Sequence, residues 1–291
     1  MEPRSYKIQG SDQLSLRLLE WGDPAASPIV MLHGIRGYAR TFASLAKALL
    51  PRFRTIAYDQ RGRGESDWDP ARQYYNDDYV RDLEAVVNQL GLKRFDLLGH
   101  SMGGIAAYVY AAANPERVRR LVIEDAGPGA SDDSAGSVRI RQELLSAPDS
   151  FESWDAAVEF MRKLRPTVTE AARLDRLRNM LKQRSDGTWT WQYDHLGIAE
   201  ARLNPDPSRQ VDLWPHVEAI SCPTLILRGG RSDYLKKEAA EAMSARNPNL
   251  RWRDVADAGH YVHDDQPQVF EDWVSSFLAE TDKPSIPPRE A

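Results

Sequence analysis

The sequence predicts an α/β protein: a mostly parallel central sheet flanked by helices, with a helical cap insertion. Three observations support this. Short β-rich runs alternate with longer helix-like stretches through residues 1–128, the rhythm of a parallel sheet covered by helices. Between 129 and 213 the rhythm stops, and charged segments rich in Arg, Glu and Leu take over. It returns over 214–280, and the polar, proline-rich tail at 281–291 is expected to be disordered.

Each element follows from local pattern. Residues 14–21 alternate like a strand exposed on one face, and the short apolar run 29–32 ends at His33-Gly34, where the chain can turn sharply. Residues 53–58 form a further strand that empties into DQRGRGESD, too polar and glycine-rich to continue a sheet. Apolar residues recur at helical spacing over 77–90, with Gly91 at the expected stop. A strand at 94–98 leads into GHSMGG, and the apolar helix 105–113 ends at Asn114-Pro115. Residues 118–124 supply the next strand. In the cap, Pro166 and the stretch SDGTWTWQYD interrupt the helices. A strand at 224–228, a helix at 236–245, a strand at 250–255 and a helix at 268–278 complete the series.

Composition narrows the function. A chain of 291 residues with 42% apolar content can bury a substantial core, as one domain plus an insert. A net charge of −5 lacks the positive field that nucleic acid or an anionic membrane would attract. The single cysteine, Cys222, excludes an intrachain disulfide framework, and beside Pro223 it reads as buried filler. The polar N-terminus is unlike a secretory signal, and no apolar run reaches the roughly 20 residues of a membrane span. A cytoplasmic monomer or homodimer acting on a small molecule is expected.

Chemistry is concentrated at Gly99-His100-Ser101-Met102-Gly103, a GxSxG pattern with an apolar strand before it and a small-residue helix after it. Such a turn presents the serine hydroxyl above the C-terminal edge of the sheet, and glycines at 99 and 103 remove side chains that would collide there. A serine hydroxyl is a poor nucleophile at neutral pH and needs a base. Of six histidines, His260 stands in a late loop, as the order Ser, Asp, His requires, whereas His263 three residues on reads as structural. A metal set of His260, His263, Asp264 and Asp265 has no further ligands to complete it.

The ordered motifs HGIRG, DQRGRGESD, GHSMGG and AGHYVH resemble those of the α/β-hydrolase superfamily, in its serine-nucleophile branch. The resemblance covers nearly the whole chain outside the cap and tail. It implies the α/β-hydrolase fold, a need for no cofactor, and an oxyanion hole made by the backbone N–H groups of Ile35 and Met102. It also implies that His33 and His100 are structural, and Asp59, Arg61, Gly62 and Gly64 are read as scaffold. Epoxide hydrolases and haloalkane dehalogenases are disfavoured, because their elbows carry aspartate where this chain has Ser101.

Two aspartates at strand ends are candidates to orient His260: Asp125 after LVIE, and Asp233 after TLILRGG. LVIEDAGP and GGRSDY resemble LVxxDxxP and GGxSxY of small esterases that place the acid on the earlier strand, which favours Asp125. Asp233 stays as the alternative, because both preserve the order. Glu124 is turned to the opposite face by strand alternation.

The cap is rich in tryptophan and arginine. Trp154, Trp191 and Trp214 are candidate walls for an acyl pocket, and Arg36 beside the oxyanion loop is a candidate contact for an anionic group. The expected activity is hydrolysis of a small or medium carboxylic ester or lactone through an acyl-serine. An amidase or carbon–carbon hydrolase with the same residues is the alternative, and a non-turnover receptor on the same scaffold is a further one.

Overall fold

The computed structural model describes residues 2–130, 134–165 and 168–280. The expected tail and the interruption at Pro166 lie outside the described residues. The chain runs β1 (Arg4–Gln9), β2 (Ser15–Trp21), β3 (Ser27–Leu32), α1 (Ala43–Ala48), β4 (Phe53–Tyr58), α2 (Asn76–Gln89), β5 (Phe95–His100), α3 (Met102–Ala113) and β6 (Val118–Glu124). An inserted segment follows: α4 (Ala135–Ser146), β7 (Ser150–Phe151), α5 (Trp154–Leu164), α6 (Glu170–Met180), β8 (Leu181–Gln183), β9 (Trp189–Trp191) and α7 (His195–Leu203). Then come α8 (Trp214–Ala219), β10 (Thr224–Gly229), α9 (Lys237–Arg246), β11 (Leu250–Val255), α10 (Val262–Asp265) and α11 (Pro267–Ala279).

Among the described residues eight strands form one sheet in the order β1-β2-β4-β3-β5-β6-β10-β11. It is parallel from β4 to β11, while β1 and β2 join it antiparallel. Alternation along the central strands assigns side chains to two cores. Val30, Leu32, Leu97, Ile123 and Ile226 face α2, α3 and the insert. Ile29, Met31, Leu98, Val122, Leu225 and Leu227 face α1 and α11. α3 lies against the sheet and is buried almost throughout, which is why its sequence shows no polar stripe.

Strand order places the site. β3 has β4 on one side and β5 on the other, so the loops after β3 and β5 leave the C-terminal edge in opposite directions. The crevice between them is where ligands bind in open α/β sheets.

The sequence reading missed β1 and α1. β1 is a mostly exposed edge strand with few apolar residues, and α1 has six residues, too few to show a period. The insert is mostly helical, as expected, but it also carries strands that the sequence reading did not foresee. β7, β9 and β8 form a small antiparallel sheet, and the stretch read as an interruption is the β8–β9 hairpin, turning through Asp186-Gly187. No helix among the described residues is long and apolar enough to cross a membrane.

Candidate active site

β5 ends at His100, and α3 begins at Met102, which leaves Ser101 alone to reverse the chain. It does so at φ 51°, ψ −119°, a conformation that non-glycine residues adopt only when the surroundings enforce it. Enforcement comes from both sides. Ser101 N–H donates to the Glu124 carbonyl on β6 at 3.0 Å, and the Ser101 carbonyl accepts from Ile105 N–H at 3.0 Å. The backbone behind the turn tolerates no side chain at 103, where a Cβ would overlap the Leu32 carbonyl oxygen.

The turn points Ser101 Oγ at His260. Nε2 of His260 lies 2.9 Å from that oxygen, and Nδ1 lies 2.7 Å from Asp125 Oδ2. Asp125 stands directly after β6 at φ 48°, another enforced conformation, and its N–H donates to the Leu227 carbonyl at 2.9 Å. Its carboxylate also accepts from Gly229 N–H at 3.0 Å and from Ser232 Oγ at 2.5 Å. Burial pushes the Asp125 carboxyl up from the ordinary aspartate range, and the Ser232 and Gly229 donors oppose that shift. His260 moves the other way: burial, then the charges of Arg139 and Arg165, hold its pKa well below the ordinary value. A neutral imidazole with one nitrogen on a hydroxyl and the other on a carboxylate is equipped to accept the hydroxyl proton. The Tyr234 ring packs on His260 at 4.4 Å between centroids and steadies its plane.

Asp233 is not brought to His260. Its carboxylate takes the Arg139 guanidinium in a two-pronged contact at 2.8 and 2.9 Å. Glu124 also points elsewhere, accepting from the backbone and ring of His263 at 2.9 and 2.7 Å.

On the other side of Ser101, the loop after β3 approaches closely. A Cβ at Gly34 would lie 3.2 Å from Ser101 Cβ, so only glycine lets residue 35 reach this position. Met102 N–H opens α3, where no intrahelical acceptor exists, and Ile35 sits in a turn. Both N–H groups are without an acceptor among the described residues.

The remaining sequence candidates are fixed by hydrogen bonds. His33 accepts from Gln60 N–H through Nε2 at 3.0 Å, and burial lowers its pKa to about 3. His100 contacts the His260 carbonyl at 3.0 Å. Asp59 accepts from Ala39 and Glu65 N–H groups, and Arg61 is wrapped by Asp82, Asp69 and Asp12. The four groups weighed as a metal set are each engaged elsewhere: His260 and His263 as above, Asp264 with arginines, and Asp265 with Gly259 N–H, although His263 Nε2 also lies 3.6 Å from Asp264.

A family model described as the alpha/beta hydrolase fold matches residues 27–267. The chain belongs to the α/β-hydrolase fold family. It is similar to the sn-1-specific diacylglycerol lipase ABHD11 of Mus musculus, 33% identical over 271 residues that cover 91% of this chain and 85% of the relative. It is also similar to the 3-hydroxybutyrate-oligomer hydrolase of Cupriavidus necator, 29% identical over 252 residues covering 83% and 85%. The crystal structure of E-2-(acetamidomethylene)succinate hydrolase matches with a TM-score of 0.83 at 26% identity, over 96% of this chain and 100% of that one. This α/β-hydrolase-fold protein is a hydrolase.

In this hydrolase the insert covers the site, leaving Ser101 3% and His260 4% exposed. Arg36 is held by Glu143 of α4, Arg139 of α4 by Asp233, and Arg176 of α6 by Asp264. The tryptophans offered as pocket walls are accounted for by packing. Trp154 meets Trp189 edge-on, and Trp191 sits among Phe151, Phe160 and Tyr193 with its Nε1 donating to the Pro148 carbonyl. Trp214 lies under the Arg246 guanidinium at 3.8 Å. Aromatic rings close together satisfy one another, so their number in a sequence says little about the pocket.

Sequence reasoning missed Arg63. It is fully buried, and no carboxylate among the described residues pairs with it. Its Nε donates to the Ile35 carbonyl at 3.1 Å, another nitrogen contacts Met102 Sδ at 3.3 Å, and its plane lies near the rings of Tyr74 and Tyr79. It therefore links the two segments whose N–H groups lack acceptors. A charged residue between two glycines looks like a solvated loop, and only the polar composition of its neighbours, none acidic at 60–64, hinted otherwise.

Proposed function

We propose that this hydrolase is a serine esterase that cleaves a small or medium carboxylic ester or lactone through an acyl-Ser101 intermediate. The observation that carries the reading is the unbroken series of contacts from Ser101 Oγ through His260 to Asp125, at 2.9 and 2.7 Å, in a buried site.

In this reading Ser101 Oγ bonds to the acyl carbon while its proton passes to His260 Nε2, and the carbonyl electron pair moves onto oxygen. The Ile35 and Met102 N–H groups receive that negative charge. Asp125 holds the imidazolium in orientation. The carbon–alkoxy bond then breaks, the leaving oxygen takes the proton from His260, and the acyl group stays on Ser101. Water attacks next, giving its proton to His260. The bond to Ser101 Oγ breaks as that proton returns, which releases the acid. Every group required is a residue of the chain, a small acyl molecule or water, so the reading includes no cofactor, nucleic acid or membrane partner. A cytoplasmic monomer or homodimer remains part of the proposal.

A second reading keeps the residues and changes the bond. The structural relative named for (acetamidomethylene)succinate supports amide cleavage. A panel of alkyl and aryl esters, acyl amides and vinylogous diketones separates the two by kcat/KM. Multiple turnover of esters supports the first reading, and preference for amides or diketones the second. Covalent labelling of Ser101 without turnover on any of them would favour a receptor.

A further inference from the structure

Beside the nucleophile, around Tyr261, lies a cluster of positive charges that ester hydrolysis alone does not call for. The Tyr261 side chain, next in sequence to His260, is ringed by the charges of Arg165, Arg36, Arg176 and Arg139, and together they lower its phenol to about 8. Arg165 stacks on the ring at 3.1 Å from its centroid, with Arg176 at 5.1 Å. Three carboxylates pair with these four arginines: Glu143 with Arg36 and Arg139, Asp233 with Arg139, and Asp264 with Arg176 and Arg165. Among the described residues one positive charge is left over.

That charge falls on Arg165. Its single carboxylate contact among the described residues is 3.5 Å away, to the Asp264 oxygen that Arg176 already holds, although its side chain is only 10% exposed. A guanidinium carries five donors in a fork suited to carboxylate, and stacking on a ring occupies its face rather than its edge. The cluster holds further unmet polar capacity. Tyr193 Oη, in electrostatic reach of Arg36 and Tyr261, is buried with no hydrogen-bond partner among the described residues, and Arg176 Nε is also without one. Buried polar groups are normally satisfied, so these two unmet groups, both within reach of Tyr261 and next to the weakly paired Arg165, point to a ligand.

We propose that the substrate carries a free carboxylate in addition to its scissile acyl group, and that Arg165 and Tyr193 bind it beside Ser101. The proposal rests on the serine-hydrolase reading and adds the substrate class. A surplus of one charge fits a monoanion. Because the Tyr261 and His260 rings are 5.0 Å apart, the carboxylate lies a short acyl chain from the reacting carbon. The natural substrates are half-esters of short dicarboxylic acids or close analogues, so the enzyme belongs after a reaction that esterifies one carboxyl of such a diacid or opens its cyclic anhydride with an alcohol.

The test compares monomethyl esters of four- to seven-carbon dicarboxylic acids with methyl esters of monocarboxylic acids of equal carbon number, by acid release from the intact chain. The best half-ester should exceed its neutral counterpart in kcat/KM by at least about tenfold, and Arg165→Gln should reduce that ratio by a similar factor. Tyr193→Phe, which removes a hydroxyl with no partner and should fold normally, should also reduce it. A purely structural role for Arg165 would slow both ester classes alike and leave the ratio unmoved. A wild-type ratio of one, or a ratio that neither variant changes, would overturn the proposal. Thermal stabilisation by adipate, present in the wild type and lost in Arg165→Gln, reads binding without catalysis. Adipate binding with no ester turnover would sustain the anion site and sink the serine-hydrolase reading. Turnover with no half-ester preference would do the reverse.

Discussion

Asp125 reaches His260 Nδ1 at 2.7 Å from the end of the strand next to the nucleophile's own, while Asp233 spends both carboxylate oxygens on Arg139 of the insert. This division of labour has a direct mutational consequence. Asp125→Asn should lower kcat by about two to four orders of magnitude, because the amide favours the wrong imidazole tautomer. Asp233→Asn should retain most activity. Steady-state kinetics of the two variants checks this, and a crippled Asp233→Asn beside an active Asp125→Asn would reverse the assignment.

The pH dependence follows from His260. Burial and the charges of Arg139 and Arg165 depress its pKa below 6.5, and the base works only when neutral. Activity is therefore retained as pH falls to 6.5, and the acid limb of kcat/KM lies below that value. Arg139→Gln removes a repelling cation and leaves Asp233 anionic and unpaired. Both changes favour the imidazolium, so the limb should move to higher pH. A limb that stays in place contradicts the electrostatic account.

Arg63 ties the Ile35 carbonyl to Met102 Sδ behind the proposed oxyanion donors. Arg63→Met should loosen both segments and reduce kcat by about 10- to 100-fold, less than the roughly 100- to 1,000-fold for removing a donor outright. KM should change less, and affinity for an alkyl boronate should fall in parallel with kcat. An equal loss of boronate and ground-state substrate binding would point to general disruption instead.

Gly103 allows α3 to start against the end of β3. Gly103→Ala places a methyl group on the Leu32 carbonyl, where neither backbone can retreat cheaply. Overpacking of this kind costs about 1–3 kcal/mol, which should appear as a lower urea midpoint. An unchanged midpoint would show that the elbow is less tightly packed than described.

The central strands were legible because burial on both faces demands apolar runs, and the Ser101 turn because its steric needs dictate glycines around it. Choosing between Asp125 and Asp233 was beyond the residues alone: both follow strands, and the outcome depends on which neighbour each carboxylate meets in three dimensions. The resemblance favoured Asp125, the aspartate found beside His260. The β8–β9 hairpin was lost because three-residue strands carry almost no periodic signal. Arg36 was singled out for an anion, and Glu143 of the insert meets it instead. For Trp154, Trp191 and Trp214 composition cannot distinguish a ring that packs on another group from one that faces a pocket, and the structure gives each a packing partner.

The most direct measurement is peptide mass spectrometry after treatment with an alkyl fluorophosphonate. One adduct per chain should form, on the peptide containing Ser101, with Ser101→Ala unlabelled yet folded and His260→Ala labelled far more slowly. Stoichiometric labelling of another residue, or a Ser101→Ala protein that still hydrolyses esters at the wild-type rate, would contradict the account at its root.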